Sequence, residues 1–126
     1  MTDAIRRTIA VVDDDYRILE SLESLLESAG HVVHLFPSAE AFLATGVLGD
    51  IDCLISDIGM PGMDGFALLR LAQLDRPGLP VILITGREEL MNSQSPANLP
   101  PQNFFMKPFD SKKLLAAINI ALQHGR

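Results

Sequence analysis

A doubly wound α/β fold, built on a five-stranded parallel sheet in the order 2-1-3-4-5, is predicted for this 126-residue chain by three observations. Short runs that are almost wholly apolar and rich in β-branched residues recur along it, as strands covered on both faces require. Between them lie longer segments with apolar residues at three-and-four spacing, the period of an amphipathic helix. Strand and helix alternate within a single domain length, which favours parallel strands joined by helical crossovers.

Thr8-Ile9-Ala10-Val11-Val12 is the first strand, and it runs into Asp13, Asp14 and Asp15. Ile18, Leu19, Leu22, Leu25, Leu26 and Ala29 then mark the apolar face of a helix, whose early acids suit the positive end of its dipole and whose stop is Gly30. Val32-Val33-His34-Leu35 is the second strand; Ser38 is the N-cap of a helix with Phe42 and Leu43 inward, ending near Gly46. Cys53-Leu54-Ile55 is the third strand, closed by Asp57 and a Pro61-Gly62 turn. Residues 66–74 form a helix with Phe66, Leu69 and Leu74 buried, broken at Arg76-Pro77-Gly78. Val81-Ile82-Leu83-Ile84 is the fourth strand and ends in Thr85-Gly86. Asn103-Phe104-Phe105-Met106 is the fifth and ends in Lys107-Pro108; Asp110 caps a last helix with Leu114, Leu115, Ile118, Ala121 and Leu122 inward. The stretch from Arg87 to Gln102 is the exception. Its Pro96, Pro100 and Pro101 and its many Asn and Ser residues allow a turn or two of helix at most, over 88–93, so a short or irregular fourth helix is expected there.

Composition sets limits on function. At 126 residues the chain is read as one domain, 1–126, with an ordinary soluble composition. A net charge of -6 with scattered basic residues argues against direct nucleic-acid binding. The one cysteine, Cys53, lies inside a strand and reads as a small core residue of a reducing compartment. No signal-peptide pattern or membrane-length apolar run is seen, so the expected location is cytoplasmic with no membrane partner.

The strand ends carry the chemistry. In an open parallel sheet, ligands gather outside the carboxyl ends of the strands. There the predicted order brings together Asp13 and Asp14 after strand one, Asp57 after strand three, Thr85 after strand four and Lys107 after strand five. Crowded carboxylates raise one another's pKa unless a cation neutralises them, and Mg²⁺ suits a few carboxylates that share it with water and a phosphate oxygen. Lys107 favours a phosphoryl group beside Asp57, Thr85 offers it a hydroxyl, and a carboxylate can be the nucleophile in phosphoryl transfer.

These runs resemble a bacterial two-component response-regulator receiver domain over essentially the whole length. The carriers are Val11-Val12-Asp13-Asp14-Asp15, the run from Ser56 to Gly65, Ile84-Thr85-Gly86 and Phe104-Phe105-Met106-Lys107-Pro108-Phe109, in order and at receiver-like spacing. The resemblance implies a flavodoxin-like sheet and a phosphoryl group accepted on Asp57 from a histidine kinase or histidine phosphotransfer protein. It implies Mg²⁺ held by Asp14, Asp57 and the Gly59 carbonyl, with Asp13 in the inner shell or holding a water. Lys107 would contact the phosphoryl group and form a cis peptide with Pro108. Thr85 and Phe104 would form the switch pair that alters a protein-interaction surface, with room for a phosphorylation-linked dimer. The implied role is that of a signalling switch and not of an enzyme, beyond its own phosphorylation and dephosphorylation at Asp57. Two departures stand out. Gly59 replaces a larger side chain, which weakens steric control of water, and the stretch from Arg87 to Gln102 lacks the regular helix of the usual output face.

Blander readings compete at single positions. Asp15 reads as a helix-start acid, Asp64 as a turn residue, and Met60 and Met63 as turn packing. His31, His34 and His124 have no partners at ligand spacing and read as surface or edge residues. An aspartyl-nucleophile phosphatase would need a second acid where Gly59 stands, and a flavin module would need a phosphate-cradling loop where Asp13-Asp14-Asp15 stands. A phosphorylation-independent interaction module is the alternative that the irregular stretch favours. The starting Met1 and the end at Arg126 suggest a stand-alone receiver, against a fragment of a larger DNA-binding regulator or hybrid kinase.

Overall fold

A computed structural model describes residues 6–87, 100 and 103–124. Five parallel strands, β1 (Thr8–Val12), β2 (Val32–Phe36), β3 (Cys53–Asp57), β4 (Val81–Thr85) and β5 (Phe104–Met106), form one sheet in the order β2-β1-β3-β4-β5. The helices are α1 (Tyr16–Ser28), α2 (Ala39–Thr45), α3 (Gly65–Asp75) and, after β5, α4 (Ser111–His124), with a short 3-10 turn over Val47–Gly49.

Alternation along the central strands builds two cores. Ile9, Val11, Cys53, Ile55, Ile82 and Ile84 point to one face, where Leu19, Leu22 and Leu26 of α1 meet Leu114, Ile118 and Leu122 of α4. Ala10, Val12, Leu54 and Leu83 point to the other, under Phe42 of α2 and Leu68, Leu69 and Ala72 of α3. The sheet is therefore wound on both sides, and burial of β3 and β4 is complete along their length. Sealed apolar strands leave polar residues a place only where the strands end.

Local signals place the helices. Asp15 caps α1 by accepting from the Arg17 amide, Ser38 caps α2 through Ala41, and Asp64 caps α3 through Ala67. Asp110 Oδ1 accepts from the amides of Lys112 and Lys113 at the start of α4. Gly30 and Gly46 take positive φ where α1 and α2 stop.

Several sequence expectations are corrected. Leu74 is 81% exposed, because it lies two residues past buried Ala72 and therefore on the opposite side of α3; Leu68 takes its place in the core. Ala29 is exposed as the cap of α1 and not inward. His31 is buried, and its Nδ1 accepts from the Arg7 amide. Met60 belongs to the core under α2 and α3. β2 runs on to Phe36, and β5 begins at Phe104 because Asn103 turns its side-chain amide to the Val81 carbonyl. The expected irregular helix over 88–93, like most of the stretch from Arg87 to Gln102, lies outside the described residues, as does the side chain of His124.

Candidate functional site

The site is assembled at the carboxyl edge of β1, β3, β4 and β5. Hydrogen bonding continues one residue past the strands there: Asp13 N donates to Phe36 O, Ile58 N to Ile84 O and Lys107 N to Thr85 O. These bonds fix the backbone on which Asp13, Asp57 and Lys107 are mounted. A second restraint sits behind Asp57. Gly65 packs so closely on the Asp57 carbonyl that a Cβ would collide with backbone, so the chain can return to α3 directly behind the acid only as glycine.

The side chains then meet. Asp13 is fully buried, its Oδ1 accepting from the Asp15 amide at 2.8 Å. Lys107 Nζ stands 2.8 Å from Asp13 Oδ2 and 3.3 Å from Asp57 Oδ1. The Lys107–Asp13 contact is a close ion pair whose angles miss hydrogen-bond alignment, which leaves the enclosed Oδ2 without an aligned donor. Asp14 is exposed on the wall of the same cleft, which Asp57, Gly59, Thr85 and Lys107 also line. Thr85 is buried, and its Oγ1 accepts from the Arg87 amide at 3.0 Å, so its own hydroxyl proton remains available to a ligand oxygen.

Electrostatics follow from this packing. Burial, and after it the neighbouring Asp13 carboxylate, push the Asp57 carboxyl above its ordinary value. Burial also raises Asp13, more than Lys107 and the Asp15 amide lower it. For Lys107, burial works against the charge, but the ionic pull of Asp13 and then of Asp57 outweighs it, and the ammonium is held more firmly than usual. Three acids and one lysine leave an excess of negative charge.

Among the described residues, Asp13, Asp14 and Asp57 form the cluster suited to a metal, each offering an oxygen within 4.8 Å of the others. The residues fit a hard dication: the donors are carboxylate oxygens, one of them is buried without an aligned partner, and both buried acids resist ionising unaided. Of the polar strand-end residues expected from the sequence, Asp14, Asp57, Thr85 and Lys107 thus line one cleft, while Asp13 is enclosed and meets it through Lys107. Phe104 does not line it; the ring is half-buried against the core under α2 and α3, on the strand that leads to Lys107. Tyr16 and Arg87 do line it, although the sequence reading gave them no role. Their positions, three residues after Asp13 and two after Thr85, were the available signal. Asp15 keeps its expected capping role, paired with Arg17 at 3.4 Å, while also forming part of the wall.

Comparison with known proteins points to one family. The family model of the response regulator receiver domain matches residues 9–119. Transcriptional regulatory protein FixJ of Bradyrhizobium diazoefficiens is 36% identical over 117 residues, covering 93% of this chain and 57% of that protein. The chain spans about half the length of the FixJ relatives it matches. A response regulator receiver domain protein from Clostridium thermocellum superposes with a TM-score of 0.79 at 32% identity, covering 93% of this chain and 94% of that one. A CheY-like receiver domain protein from Methanospirillum hungatei JF-1 gives 0.81 at 31%, covering 96% and 97%.

Proposed function

The chain belongs to the response regulator receiver domain family, and from that premise we propose that Asp57 is the phosphoacceptor of a Mg²⁺-dependent switch in two-component signalling. The observation that carries the reading is the seat of Asp57: a nearly buried carboxylate at the end of β3, 3.3 Å from Lys107 Nζ, with oxygens of Asp13 and Asp14 within 4.8 Å. The donor is a phosphohistidine of a histidine kinase or histidine phosphotransfer protein. An Asp57 carboxylate oxygen attacks phosphorus, the P–N bond to the donor imidazole breaks, and that nitrogen keeps the electron pair and later takes up a proton.

Asp13, Asp14, Asp57 and the Gly59 carbonyl would hold the Mg²⁺, which when bound neutralises the crowded acids and the charge on the phosphoryl oxygens. Lys107 meets the phosphoryl group as a point charge already aimed at Asp57. Thr85 donates its hydroxyl proton to a phosphoryl oxygen while still accepting from the Arg87 amide. That turn draws on β4, and Phe104, paired beside Leu83 on β5, adjusts with it to alter a protein-binding surface. Residues 1–126 act as one receiver unit in the cytoplasm. The output, through an attached effector or a separate protein partner, follows from the state of Asp57.

Intact mass after incubation with Mg²⁺ and acetyl phosphate tests the reading. A gain of about 80 Da, one phosphoryl group, is expected for the wild type, lost with EDTA and absent in Asp57→Asn. No gain, together with no Mg²⁺ binding by calorimetry, would replace it with a phosphorylation-independent interaction module.

A further inference from the structure

The loop between β3 and α3 leaves the cleft at Gly59 and returns at Gly65, and only part of it is held by its own residues. Ile58 O accepts from both Met60 N and Gly65 N, and the Met60 side chain is buried beneath it. Pro61 and Gly62 are exposed. Among the described residues, one hydrogen bond ties the stretch 59–63 to another element: Met63 N donates to Oε2 of Glu40, on the first turn of α2, at 2.9 Å.

The tip is shaped around that carboxylate. Gly62 has φ +76°, and a Cβ there would lie 2.7 Å from Glu40 Oε2. Glycine thus serves both the left-handed turn and the close approach. Glu40 is itself firmly mounted, since Ser38 caps the helix and Phe42, two residues on, is fully buried. The Met63 amide, and after it the Glu40 amide, hold the Glu40 carboxyl below the usual range, so it is charged at neutral pH.

We propose that Glu40 is a positioning residue for the cation site: through Met63 it fixes the loop tip and so holds Gly59, four residues away, in the wall of the cleft. The inference rests on the proposed Mg²⁺ reading and extends it to a residue on a helix outside the cleft. A loop fixed in advance has less conformational freedom to lose when a ligand binds. Without the tie, the tip must be ordered at the moment of binding, and affinity falls.

The test compares the full chain with Glu40→Ala, Glu40→Gln and Asp52→Ala. Asp52 lies at the opposite edge of the sheet, where its Oδ2 accepts from Thr8 N. Mg²⁺ affinity is read by titration calorimetry with MgCl₂, Met63 amide protection by hydrogen exchange, and stability by thermal unfolding. Glu40→Ala should exchange the Met63 amide faster and bind Mg²⁺ about threefold to tenfold more weakly. Glu40→Gln, which keeps an acceptor without the charge, should restore both. Asp52→Ala should lose stability without losing affinity, which separates positioning from general destabilisation. The inference fails if Glu40→Ala binds Mg²⁺ as the wild type does, whatever the Met63 amide does. It fails equally if Gln binds as poorly as Ala, or if Asp52→Ala is weakened as much. A wild type that binds no Mg²⁺ overturns both this inference and the site reading; a wild type that binds while all Glu40 variants match it overturns this inference alone.

Discussion

The two edges of the sheet place polar residues at opposite ends of the same buried strands, and they treat them differently. At the amino edge, Thr8 N donates to Asp52 Oδ2 at 2.8 Å, Asp52 N donates back to Thr8 O at 2.7 Å, and Arg7 N donates to His31 Nδ1. Side chains there finish the hydrogen bonding of the backbone. At the carboxyl edge, Asp13, Asp57 and Lys107 face one another, and like charges are crowded together. Each edge has one enclosed side-chain atom without a hydrogen-bond partner among the described residues, Arg7 Nε and Asp13 Oδ2. Arg7 Nε belongs to a guanidinium that is only half-buried, whereas Asp13 is entirely enclosed. One edge closes the fold. The other gathers buried and exposed carboxylates around a single lysine.

The contrast predicts opposite responses to removing a charged group. The largest effect should be chemical: Lys107→Met should cut phosphorylation of Asp57 by acetyl phosphate at least tenfold, roughly the loss of about 1.4 kcal/mol or more of charge stabilisation. Intact-mass time courses measure it, and an unchanged rate would remove Lys107 from the site. Next in size, Asp52→Ala at the amino edge should cost about 1–2 kcal/mol in urea unfolding, because the Thr8 amide loses its acceptor. Phosphorylation should be untouched.

Asp57→Asn should do the reverse in EDTA. The Asp57 carboxyl is raised in the fold, so its contribution to stability is greatest at low pH and is lost as pH rises from the unfolded value of 3.8 through the folded one. At neutral pH the ionised acid is a burden, and its neutral isostere should raise the urea midpoint by a small margin, on the order of 1 kcal/mol at most. Saturating Mg²⁺ should stabilise the wild type and not the variant. A variant less stable than wild type in EDTA would mean that the Lys107 pairing outweighs burial.

His31 gives a smaller, opposite pH signature. Burial, with the Arg7 charge behind it, lowers its pKa, and Nδ1 is already used as an acceptor. Its contribution is therefore full above the unfolded value of 6.5 and is lost as pH falls through that value towards the folded one. The difference in unfolding midpoint between wild type and His31→Gln should shrink over that window; a constant difference would show that the imidazole does not titrate with folding. Least of all should Cys53 respond. Its thiol is fully buried and pushed up to about 12, so a thiol reagent should leave the native protein unlabelled until it unfolds.

Much of this was legible in the residues. β3 and β4 read directly because complete burial leaves no polar residue in Leu54-Ile55 or Val81-Ile82-Leu83-Ile84. The carboxyl-edge residues read equally well, because a run of sealed strands admits an acid, a threonine or a lysine only at its end. The amino edge did not. His31 and Asp52 look like ordinary turn residues in sequence, and only their pairing with Arg7 and Thr8, 24 and 44 positions away, gives them a purpose. Leu74 misled in the other direction, since apolar character suggested burial and helix phase refused it.

Period, caps and strand ends are local properties, so the chain by itself determined the alternation of strands and helices and the identity of the acids, threonine and lysine at the strand ends. The sequence did not determine how those groups share the cleft. That Asp13 is sealed against Lys107 while Asp14 next to it stays exposed depends on which way each side chain leaves the end of β1 once β3 and β5 are in place. The reach of Glu40 to Met63 is of the same kind, a contact between residues 23 apart that needs α2 and the loop after β3 to lie side by side. Burial and ionic contact are set by neighbours distant in sequence, and only the folded chain brings those neighbours together.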